Sequence, residues 1–314
     1  MEGGIVKMTG TPRSLPVIQA EEDSVSPPLF EKIAIIGLGL IGGSIALAAR
    51  QSWPSGLVIG VDRKEVLEKA MVLHAIDVAA DDPFVISEAD LVILAAPVEQ
   101  NIELLAQLDR YVEGTALVTD VGSTKRTTLG AAAVLPERLT FIGGHPLGGA
   151  PRGGIDYARP DLFKGRPWIF TPTHDSPAGP VERLSAFVEI IGAQPHVMDP
   201  DEHDRLLAFV SHLPQLVTSA LMHVVGSVAQ EKGLGLTGRG LFDATRLASS
   251  PADIWLDICS SNSDEIAGAL DQLIGELRKM QGSLNSSKEI DRVFSSAAKW
   301  RSCLAALRRP TGVE

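Results

Sequence analysis

A glycine-rich turn between an apolar run and a helix-like segment restricts the fold more than any other part of the chain. The run Ile33–Ile36 has no polar alternation, which is typical of a strand buried on both faces. It leads into Gly37-x-Gly39-x-x-Gly42 and then into an alanine-rich stretch. Strand, glycines and helix in this order form the fingerprint of a dinucleotide-binding unit, whose pyrophosphate lies at the helix N-terminus. We therefore expect five residues of this turn to bind a dinucleotide: Gly37, Gly39, Leu40, Ile41 and Gly42.

An acidic residue follows the second apolar run at the distance that this fingerprint requires. The run Leu57–Val61 ends at Asp62, within the about 20 to 25 residues beyond the glycines where an acid bonds the adenosine ribose hydroxyls. A carboxylate at this point repels the extra phosphate of NADP, so NAD is the expected cofactor. Arg63 comes next, and its guanidinium could tolerate that phosphate, which leaves NADP as the less favoured alternative. Asp62 could also cap a helix that begins at Lys64.

Further apolar runs alternate with helix-like segments up to about residue 199. Leu91–Ala95 is followed by Pro97, and Ala116–Val118 leads into a polar turn that contains Ser123. This alternation predicts an α/β domain with a doubly wound parallel sheet of the Rossmann type. Ligands bind outside the carboxyl ends of the strands in such sheets, so we expect Pro97 and Ser123 to border the cofactor.

From Asp199 onward the sequence pattern becomes helical. Asp199 is a favourable N-cap with Pro200 in the first helical position, and Pro214 should kink the helix that follows. Asn262 and Ser286 each precede a glutamate by three residues, which predicts capping boxes at the starts of two more helices. The predicted organisation is a loose tail (1–28), a dinucleotide-binding domain (29–199) and an all-helical substrate and dimerisation domain (200–314).

Composition narrows the class of protein. The 314 residues are 45% hydrophobic and 21% charged, as in a soluble globular protein large enough for two domains. A net charge of −11 supplies no basic surplus for nucleic acid. The two cysteines show neither disulfide nor metal spacing, so we expect reduced thiols in a cytoplasmic protein and no metal site. The uncharged stretch 33–49 is better explained by the glycine fingerprint than by a membrane span.

A histidine among glycines is the candidate catalytic residue. His145 is followed by Pro146 and flanked by Gly143, Gly144, Gly148 and Gly149. Glycines leave space beside a ligand, and the proline fixes the local backbone. The unperturbed pKa of histidine suits proton abstraction near neutral pH, so His145 is a candidate general base. The alternative is a histidine that only caps a turn.

The helical part holds a second group of polar candidates. His212 precedes Leu213 and Pro214, and Arg246 lies among small residues, a setting that suits bidentate binding of a carboxylate. Each also has an ordinary explanation, Arg246 as one half of an ion pair and His212 as a satisfied buried histidine. Trp255 is most simply a core residue.

Together these motifs resemble the prephenate and arogenate dehydrogenases of tyrosine biosynthesis over about residues 31–310. The resemblance rests on seven segments in order, which are Gly-Leu-Gly-Leu-Ile-Gly-Gly-Ser at 37–44, Asp-Val-Gly-Ser-Thr-Lys at 120–125, Gly-His-Pro-Leu-Gly-Gly at 144–149, Asp-Leu-Phe-Lys-Gly-Arg at 161–166, His-Asp-Arg at 203–205, Ser-His-Leu-Pro at 211–214 and Thr-Arg-Leu-Ala-Ser at 245–249. It implies a nucleotide-binding domain, a helical domain that forms a homodimer, and NAD-dependent oxidative decarboxylation of prephenate to 4-hydroxyphenylpyruvate with release of CO2.

The same resemblance implies roles for the candidate residues. His145 would accept the proton of the substrate's 4-hydroxyl while hydride passes to the nicotinamide. Ser123 would hydrogen-bond near both the histidine and the nicotinamide. Arg246 would bind a substrate carboxylate, and His212 would line the same pocket from the helical domain.

Two positions depart from the family pattern. The acid that usually follows the Gly-His-Pro segment is missing, and Arg152 stands nearby; Gln215 occupies the place of a second histidine. Arg152 could bind the keto-acid carboxylate of prephenate, and an arogenate or dual-specificity cyclohexadienyl dehydrogenase is the alternative. A related hydroxy-acid or imine dehydrogenase fits the histidine motifs poorly. A non-catalytic NAD sensor would need the glycines and Asp62 but not the catalytic candidates.

Overall fold

The computed structural model describes residues 27–150 and 152–307 of the chain. The predicted tail lies outside these residues, apart from Pro27 and Pro28. The described part contains an eight-stranded sheet with the order β3-β2-β1-β4-β5-β6-β7-β8. Its strands are β1 (Lys32–Ile36), β2 (Leu57–Val61), β3 (Val78–Ala80), β4 (Leu91–Leu94), β5 (Ala116–Asp120), β6 (Leu139–Pro146), β7 (Pro167–Thr171) and β8 (Gln194–Val197).

Helices connect these strands and then continue alone to the end of the described chain. Within the sheet domain they are α1 (Leu40–Ser52), α2 (Lys64–Val72), α3 (Val98–Leu105), α4 (Leu108–Tyr111), α5 (Arg126–Ala132) and α6 (Ala178–Ile190). The helical part contains α7 (Pro200–Leu207), α8 (Leu213–Leu234), α9 (Arg239–Ala244), α10 (Ala252–Ser261), α11 (Ser263–Gly282) and α12 (Ser287–Leu307). The predicted fold class, a Rossmann-type domain followed by a helical domain, is confirmed.

The apolar runs form strands because both faces of the sheet are covered. Along β1, Ile33 and Ile35 pack into the core on one face with Trp53. Ala34 and Ile36 pack into the core on the other face. A strand that must satisfy two cores cannot alternate apolar and polar residues, which is the pattern seen in the sequence.

The sheet departs from the prediction at its far side, where β7 runs antiparallel to β6. The chain returns from β6 toward β7 with a short 3₁₀ turn at Ile155–Tyr157, and the described residues of this connection, 147–150 and 152–166, contain no full crossover helix. An antiparallel neighbour needs no crossover helix, so this geometry follows from the connection. It also places His145 within the last residues of β6 rather than in a loop, where its backbone pairs with Ile169 of β7.

The helical part begins as predicted. The side chain of Asp199 accepts hydrogen bonds from the backbone N–H groups of Asp201 (2.9 Å) and Glu202 (3.2 Å), and Pro200 opens α7. A π-helical turn at Ala208–His212 joins α7 to α8 just before Pro214. A proline has no N–H to donate, so the helical ladder is interrupted here, and the predicted kink takes the form of a widened turn.

The predicted capping box at Asn262 is wrong. Asn262 precedes α11, but its side chain makes no hydrogen bond to that helix. Its amide instead donates to the backbone oxygen of Asp204 (2.8 Å) and accepts from Arg126 (2.8 Å). The Asn262 side chain therefore bonds residues that are distant in sequence instead of capping its own helix.

The helical part leaves much apolar surface uncovered. Its core cluster contains only four buried residues, Ala208, Ile258, Ile266 and Ala269. Large exposed apolar side chains occur on α8 to α12, among them Val224, Val228, Phe242, Leu256, Phe294 and Trp300. By length and composition alone, the helical segment Pro200–Leu234 could cross a membrane, although Gln230 interrupts it with a positive φ of 51°; 17% of its most apolar window is buried. Large exposed apolar patches are a feature of interaction surfaces.

Candidate active site

The glycine turn after β1 has the shape of a phosphate cradle. Gly37 has a positive φ of 97°, and a Cβ at this position would lie 2.6 Å from the backbone of Ala95. A Cβ on Gly42 would lie 1.9 Å from the oxygen of Gly37. No atom within the described residues lies within 4 Å of a Cβ built on Gly39. The outer glycines therefore permit close packing, whereas the middle one leaves its backbone open to a ligand, as a dinucleotide requires.

A cleft of about 570 Å³ opens at the carboxyl ends of the central strands, above this turn. Five of the predicted cofactor-binding residues line it: Gly39, Leu40, Ile41, Pro97 and Ser123. The other walls come from the loop after β6, at Ala150, Gly153 and Gly154, and from the helical part, at Pro251, Asp253, Ile254, Asp257 and Ile258. The cleft therefore lies between the sheet and α10, which is a common location for a ligand site.

Asp62 connects the end of β2 to the glycine turn. Its Oδ2 accepts from the backbone N–H of Leu38 (2.7 Å), and its Oδ1 accepts from that of Arg63 (2.7 Å). It does not cap α2, whose N-cap residue is Arg63 and which has no side-chain cap. Because a carboxylate can accept about four hydrogen bonds, Asp62 retains acceptor capacity for ribose hydroxyls. The Arg63 side chain is 85% exposed.

His145 begins a chain of three buried side chains that crosses from the sheet to α7. Its Nδ1 lies 2.9 Å from Nε2 of His203, and Nδ1 of His203 lies 2.8 Å from Oδ1 of Asp204. His145 is 8% exposed, and the other two residues are fully buried. The imidazole rings of His145 and His203 meet edge to face, with centroids 5.1 Å apart. The candidate base is thus attached to the helical domain by side-chain hydrogen bonds.

The carboxylate of Asp204 is fixed by the start of α5. Backbone N–H groups of Lys125 (2.8 Å) and Arg126 (2.9 Å) donate to its two oxygens, and Nε of Arg126 adds a third bond (3.3 Å). Burial raises the pKa of Asp204, but the hydrogen bonds from His203 and from these backbone groups outweigh burial and leave the pKa below its ordinary value. Asp204 is therefore an anion near neutral pH.

Lys125 and Asp120 form a buried ion pair beneath His145. Lys125 Nζ also donates to the oxygen of Gly144 (2.6 Å), and Asp120 accepts from the N–H groups of Gly122 (2.9 Å) and Gly144 (3.0 Å). Burial lowers the pKa of Lys125, although Asp120 opposes the shift. The pair joins the turn after β5 to the end of β6, and so fixes the backbone that carries His145.

His145 is held neutral by its surroundings. Burial, and then the positive charge that His203, Lys125 and His212 can carry, lower its pKa well below the ordinary value of 6.5. A general base must be unprotonated to act, so this setting suits proton abstraction at neutral pH.

His212 presents an unused nitrogen within the same buried region. Its Nδ1 accepts from Nδ2 of Asn262 (3.4 Å), so Nε2 carries the hydrogen, and Nε2 has no hydrogen-bond partner within the described part of the chain. Burial lowers the pKa of His212 to about 4; Asp204 opposes that shift, and His203 adds to it. Trp255 packs edge-on against its ring at 6.1 Å. His212 therefore offers a neutral donor to a ligand.

Three predicted site residues lie apart from this buried group. Ser123 lines the cleft between the sheet and α10 and is half-buried, and the contacts within the described residues include no hydrogen bond between it and His145. Arg152 is exposed on the loop beside that cleft and donates to the hydroxyl of Tyr157 (3.0 Å). Arg246 is exposed and begins a 3₁₀ turn.

The turn that carries Arg246 is attached to α8 by Gln215, the residue that departs from the family pattern. The buried amide of Gln215 donates to the oxygen of Leu247 (2.8 Å) and accepts from Ser250 (3.2 Å). Gln215 therefore holds this turn in place without itself entering the buried histidine group.

Sequence reasoning missed His203, Asp204, Lys125, Asp120 and Asn262 as parts of the site. His203 and Asp204 read as polar residues on the first turns of a capped helix, and nothing local indicates burial. The available indication was the His-Asp-Arg segment at 203–205, which resembles the family but carries no role by itself. The described residues contain no cluster of three or more histidine, cysteine, aspartate or glutamate side chains that could hold a metal ion.

Comparison with known proteins agrees with this architecture. The model of the prephenate dehydrogenase nucleotide-binding domain matches residues 45–197, and that of the dimerization domain matches residues 199–296. Prephenate dehydrogenase of Bacillus subtilis is 36% identical over 282 residues, which cover 86% of this chain and 75% of that protein. Cyclohexadienyl dehydrogenase of Zymomonas mobilis is 32% identical over 264 residues, covering 82% of this chain and 90% of that protein.

Solved structures show the same relationship. Prephenate dehydrogenase from Aquifex aeolicus, in complex with hydroxyphenyl propionate and NAD⁺, matches with a TM-score of 0.80 at 27% identity, covering 87% of this chain and 98% of that one. Synechocystis arogenate dehydrogenase matches with a TM-score of 0.76 at 27% identity, covering 87% and 99%. The two consecutive domain matches and the full-length relatives lead to one conclusion. The chain belongs to the prephenate dehydrogenase family.

Proposed function

We propose that this chain is an NAD-dependent prephenate dehydrogenase that converts prephenate to 4-hydroxyphenylpyruvate and CO2. The observation that carries the proposal is a buried, neutral His145 at the end of β6. The Asp120–Lys125 pair bonds Gly144, the residue before His145, and Gly122, which lines the same cleft as the glycine turn. The relatives named prephenate dehydrogenase, and the Aquifex structure with NAD⁺ and a hydroxyphenyl ligand, support the same reaction. In this proposal the cleft holds the cofactor and the buried histidines face the substrate.

His145 starts the reaction by accepting the proton of the substrate's 4-hydroxyl. The electrons of that O–H bond form the carbonyl as hydride leaves the same carbon. Loss of the ring carboxylate as CO2 then returns an electron pair to the ring, which becomes aromatic, and the resulting phenolate oxygen takes up a proton to give the phenol. The nicotinamide ring, when bound, receives the hydride. The protein has to orient the hydroxyl, the base and the acceptor, because aromatisation supplies the driving force.

The remaining site residues have proposed roles that follow from their positions. Ser123, at the cleft wall, orients the nicotinamide and the substrate hydroxyl. His212 donates from its free Nε2, and Arg246 binds a substrate carboxylate. Arg152 binds the keto-acid carboxylate. Gly37, Gly39, Leu40, Ile41, Gly42 and Pro97 hold the dinucleotide.

NAD is preferred over NADP in this proposal because of the charge at the end of β2. Asp62 places a carboxylate beside the predicted ribose position, where a 2′-phosphate would be repelled. Arg63 is the nearby group whose positive charge could reduce the preference for NAD over NADP. The comparison of the two cofactors is therefore part of the test.

The helical domain, residues 200–314, is proposed to form a homodimer. The matched family model is that of a dimerization domain, and a second copy of the chain would cover the apolar side chains that α8 to α12 expose. This occupant explains the apolar helix Pro200–Leu234 without a membrane, and the acidic net charge leaves nucleic acid outside the proposal. Free thiols at Cys259 and Cys303 are compatible with the predicted cytoplasmic location.

The alternative substrate is arogenate, which carries an amino acid in place of the keto acid. The cyclohexadienyl and arogenate dehydrogenases among the relatives are the observation in its favour. Arg152 favours prephenate, because a guanidinium bonds a carboxylate well and would be repelled by the ammonium group of arogenate.

One assay tests the proposed reaction, its substrate and its cofactor together. The purified protein is mixed with prephenate or arogenate and with NAD or NADP, and the absorbance of the reduced cofactor is followed. We expect the highest kcat/KM with prephenate and NAD. Cofactor reduction with arogenate only would identify arogenate as the substrate instead. If the protein binds NAD but reduces no cofactor in any of the four mixtures, the non-catalytic sensor is favoured. The variant His145→Asn is the control, since it should bind NAD normally but lose most turnover.

A further inference from the structure

The hydrogen-bond chain behind His145 determines which of its nitrogens can act as a base. Asp204 is ionised and can only accept, so Nδ1 of His203 must carry a hydrogen and donate it across 2.8 Å. When His203 is neutral, its Nε2 is then a lone pair. The facing Nδ1 of His145, 2.9 Å away, must therefore be the donor. This leaves the lone pair of His145 on Nε2.

We propose that His203 and Asp204 are positioning residues that hold His145 in its Nδ1–H tautomer, so that Nε2 is free to take the substrate's proton. The proposal rests on the proposed function, because it assigns the chemistry of the same base. It goes further by naming two residues that touch neither substrate nor cofactor and by fixing the reactive atom.

The other tautomer of His145, with the hydrogen on Nε2, could not act as the base, so the direction of the hydrogen bonds from His145 to Asp204 matters for catalysis. If His203 donated from Nε2, Nδ1 of His145 would have to accept, and the hydrogen of a neutral His145 would lie on Nε2. A nitrogen that already carries a hydrogen cannot accept the hydroxyl proton. Without any partner, an exposed imidazole favours neither role strongly, so the fixed acceptor at His203 sets the tautomer.

The supporting structure makes this arrangement rigid. Asp204 cannot rotate away, because Lys125 and Arg126 hold both of its oxygens with backbone N–H groups from α5. His203 is fully buried on α7, one residue before Asp204. The tautomer of His145 therefore depends on the packing of α7, from the helical domain, against α5, from the nucleotide-binding domain.

A direct test reads the tautomer in the absence of any substrate. Long-range ¹H–¹⁵N correlation spectra of histidine-labelled protein distinguish a protonated nitrogen from a lone-pair nitrogen, and the His145→Asn variant identifies the His145 signals. We expect Nδ1 of His145 to be protonated and Nε2 to be a lone pair near pH 7. A protonated Nε2 on a neutral His145 would overturn the proposal. This result does not depend on which substrate the enzyme uses, so it is separate from the proposed function.

A pair of variants tests the consequence for turnover, on the substrate that the wild type oxidises. His203→Leu removes the acceptor, and we expect kcat to fall about 100-fold, at the low end of what a general base contributes, while KM changes little. His203→Gln offers an amide oxygen to His145 Nδ1, and we expect it to restore kcat to within about tenfold of the wild type. His196→Leu, an exposed histidine on β8, is the control and should match the wild type.

The kinetic pattern separates positioning from a merely structural role. A structural role would make His203→Gln as inactive as His203→Leu, or would lower kcat together with NAD binding and thermal stability, and either result would overturn the proposal. An unchanged kcat in a folded His203→Leu would overturn it as well. If His203→Leu does not fold, the wild-type spectrum and the kcat of His203→Gln still test the proposal. A wild type that oxidises neither substrate would refute the proposed function and leave the tautomer measurement valid.

Discussion

Arg126 at the start of α5 and Asp264 at the start of α11 form a two-bonded ion pair that joins the two domains. Nη1 of Arg126 lies 2.9 Å from Oδ2 of Asp264, and Nη2 lies 2.6 Å from Oδ1. The same guanidinium reaches Asn262 and Asp204, so one side chain connects α5 with both α7 and the start of α11. This contact therefore ties the helix that carries His203 and Asp204 to α5 of the nucleotide-binding domain.

Removing the two partners of this pair should have unequal effects. Arg126→Ala leaves buried Asp204 with one donor fewer, and we expect a loss of about 1–3 kcal/mol in the free energy of unfolding. Asp264→Ala removes only the exposed partner and should cost about 0.2–1 kcal/mol. Urea unfolding of both variants measures the difference. Equal losses would show that the bond to Asp204 adds nothing to the interface.

The glycines of the phosphate cradle should separate into structural and ligand-facing positions. Gly42→Ala forces a Cβ to within 1.9 Å of the oxygen of Gly37, so we expect unfolding or a loss of at least about 2 kcal/mol. Gly39→Ala meets open space, so stability should stay within about 0.5 kcal/mol of the wild type. In the proposed binding mode the added methyl would crowd the phosphates of the dinucleotide, so the dissociation constant for NAD should rise about tenfold.

Thermal unfolding and NAD titration of the two glycine variants check this difference. Strong NAD binding by a stable Gly39→Ala protein would show that the dinucleotide does not approach the turn there.

Activity should persist at lower pH than an ordinary histidine base would allow. Burial, with the charges that His203, Lys125 and His212 can carry, lowers the pKa of His145 well below 6.5, so its neutral form survives as the pH falls through that value. A profile of kcat/KM from pH 4.5 to 8 should therefore stay flat through pH 6.5 and fall only at more acidic values. A half-maximal point at or above pH 6.5 would contradict this assignment.

Arg152 should affect one substrate and leave the cofactor alone. Arg152→Ala removes a guanidinium proposed to bond the keto-acid carboxylate, so we expect KM for prephenate to rise about tenfold or more, with kcat and KM for NAD nearly unchanged. The matched control is Tyr157→Phe, which removes only the hydrogen bond between Tyr157 and Arg152 and should have a smaller effect in the same direction. An unchanged KM for prephenate in Arg152→Ala would remove this residue from the site.

Features that depend on neighbouring residues could be predicted from the sequence. The two-sided burial of β1 and β4, the glycine turn and the cap at Asp199 follow from residue pattern and backbone preference within a few positions. His145 could be singled out because its glycine and proline neighbours are unusual for a core histidine. The sequence by itself thus determined the fold class and the glycine turn, and it singled out the candidate base.

The tertiary structure alone decided how that base is held. His203 lies 58 residues beyond His145, and Asp204 lies 79 residues beyond the N–H of Lys125, so no local rule relates them. The antiparallel β7, the diversion of Asn262 from its helix and the exposure of Arg246 are likewise results of packing. Hydrogen-bond partners and burial depend on which elements meet in space. The residues next to a helical side chain in the sequence do not indicate which surface will cover it.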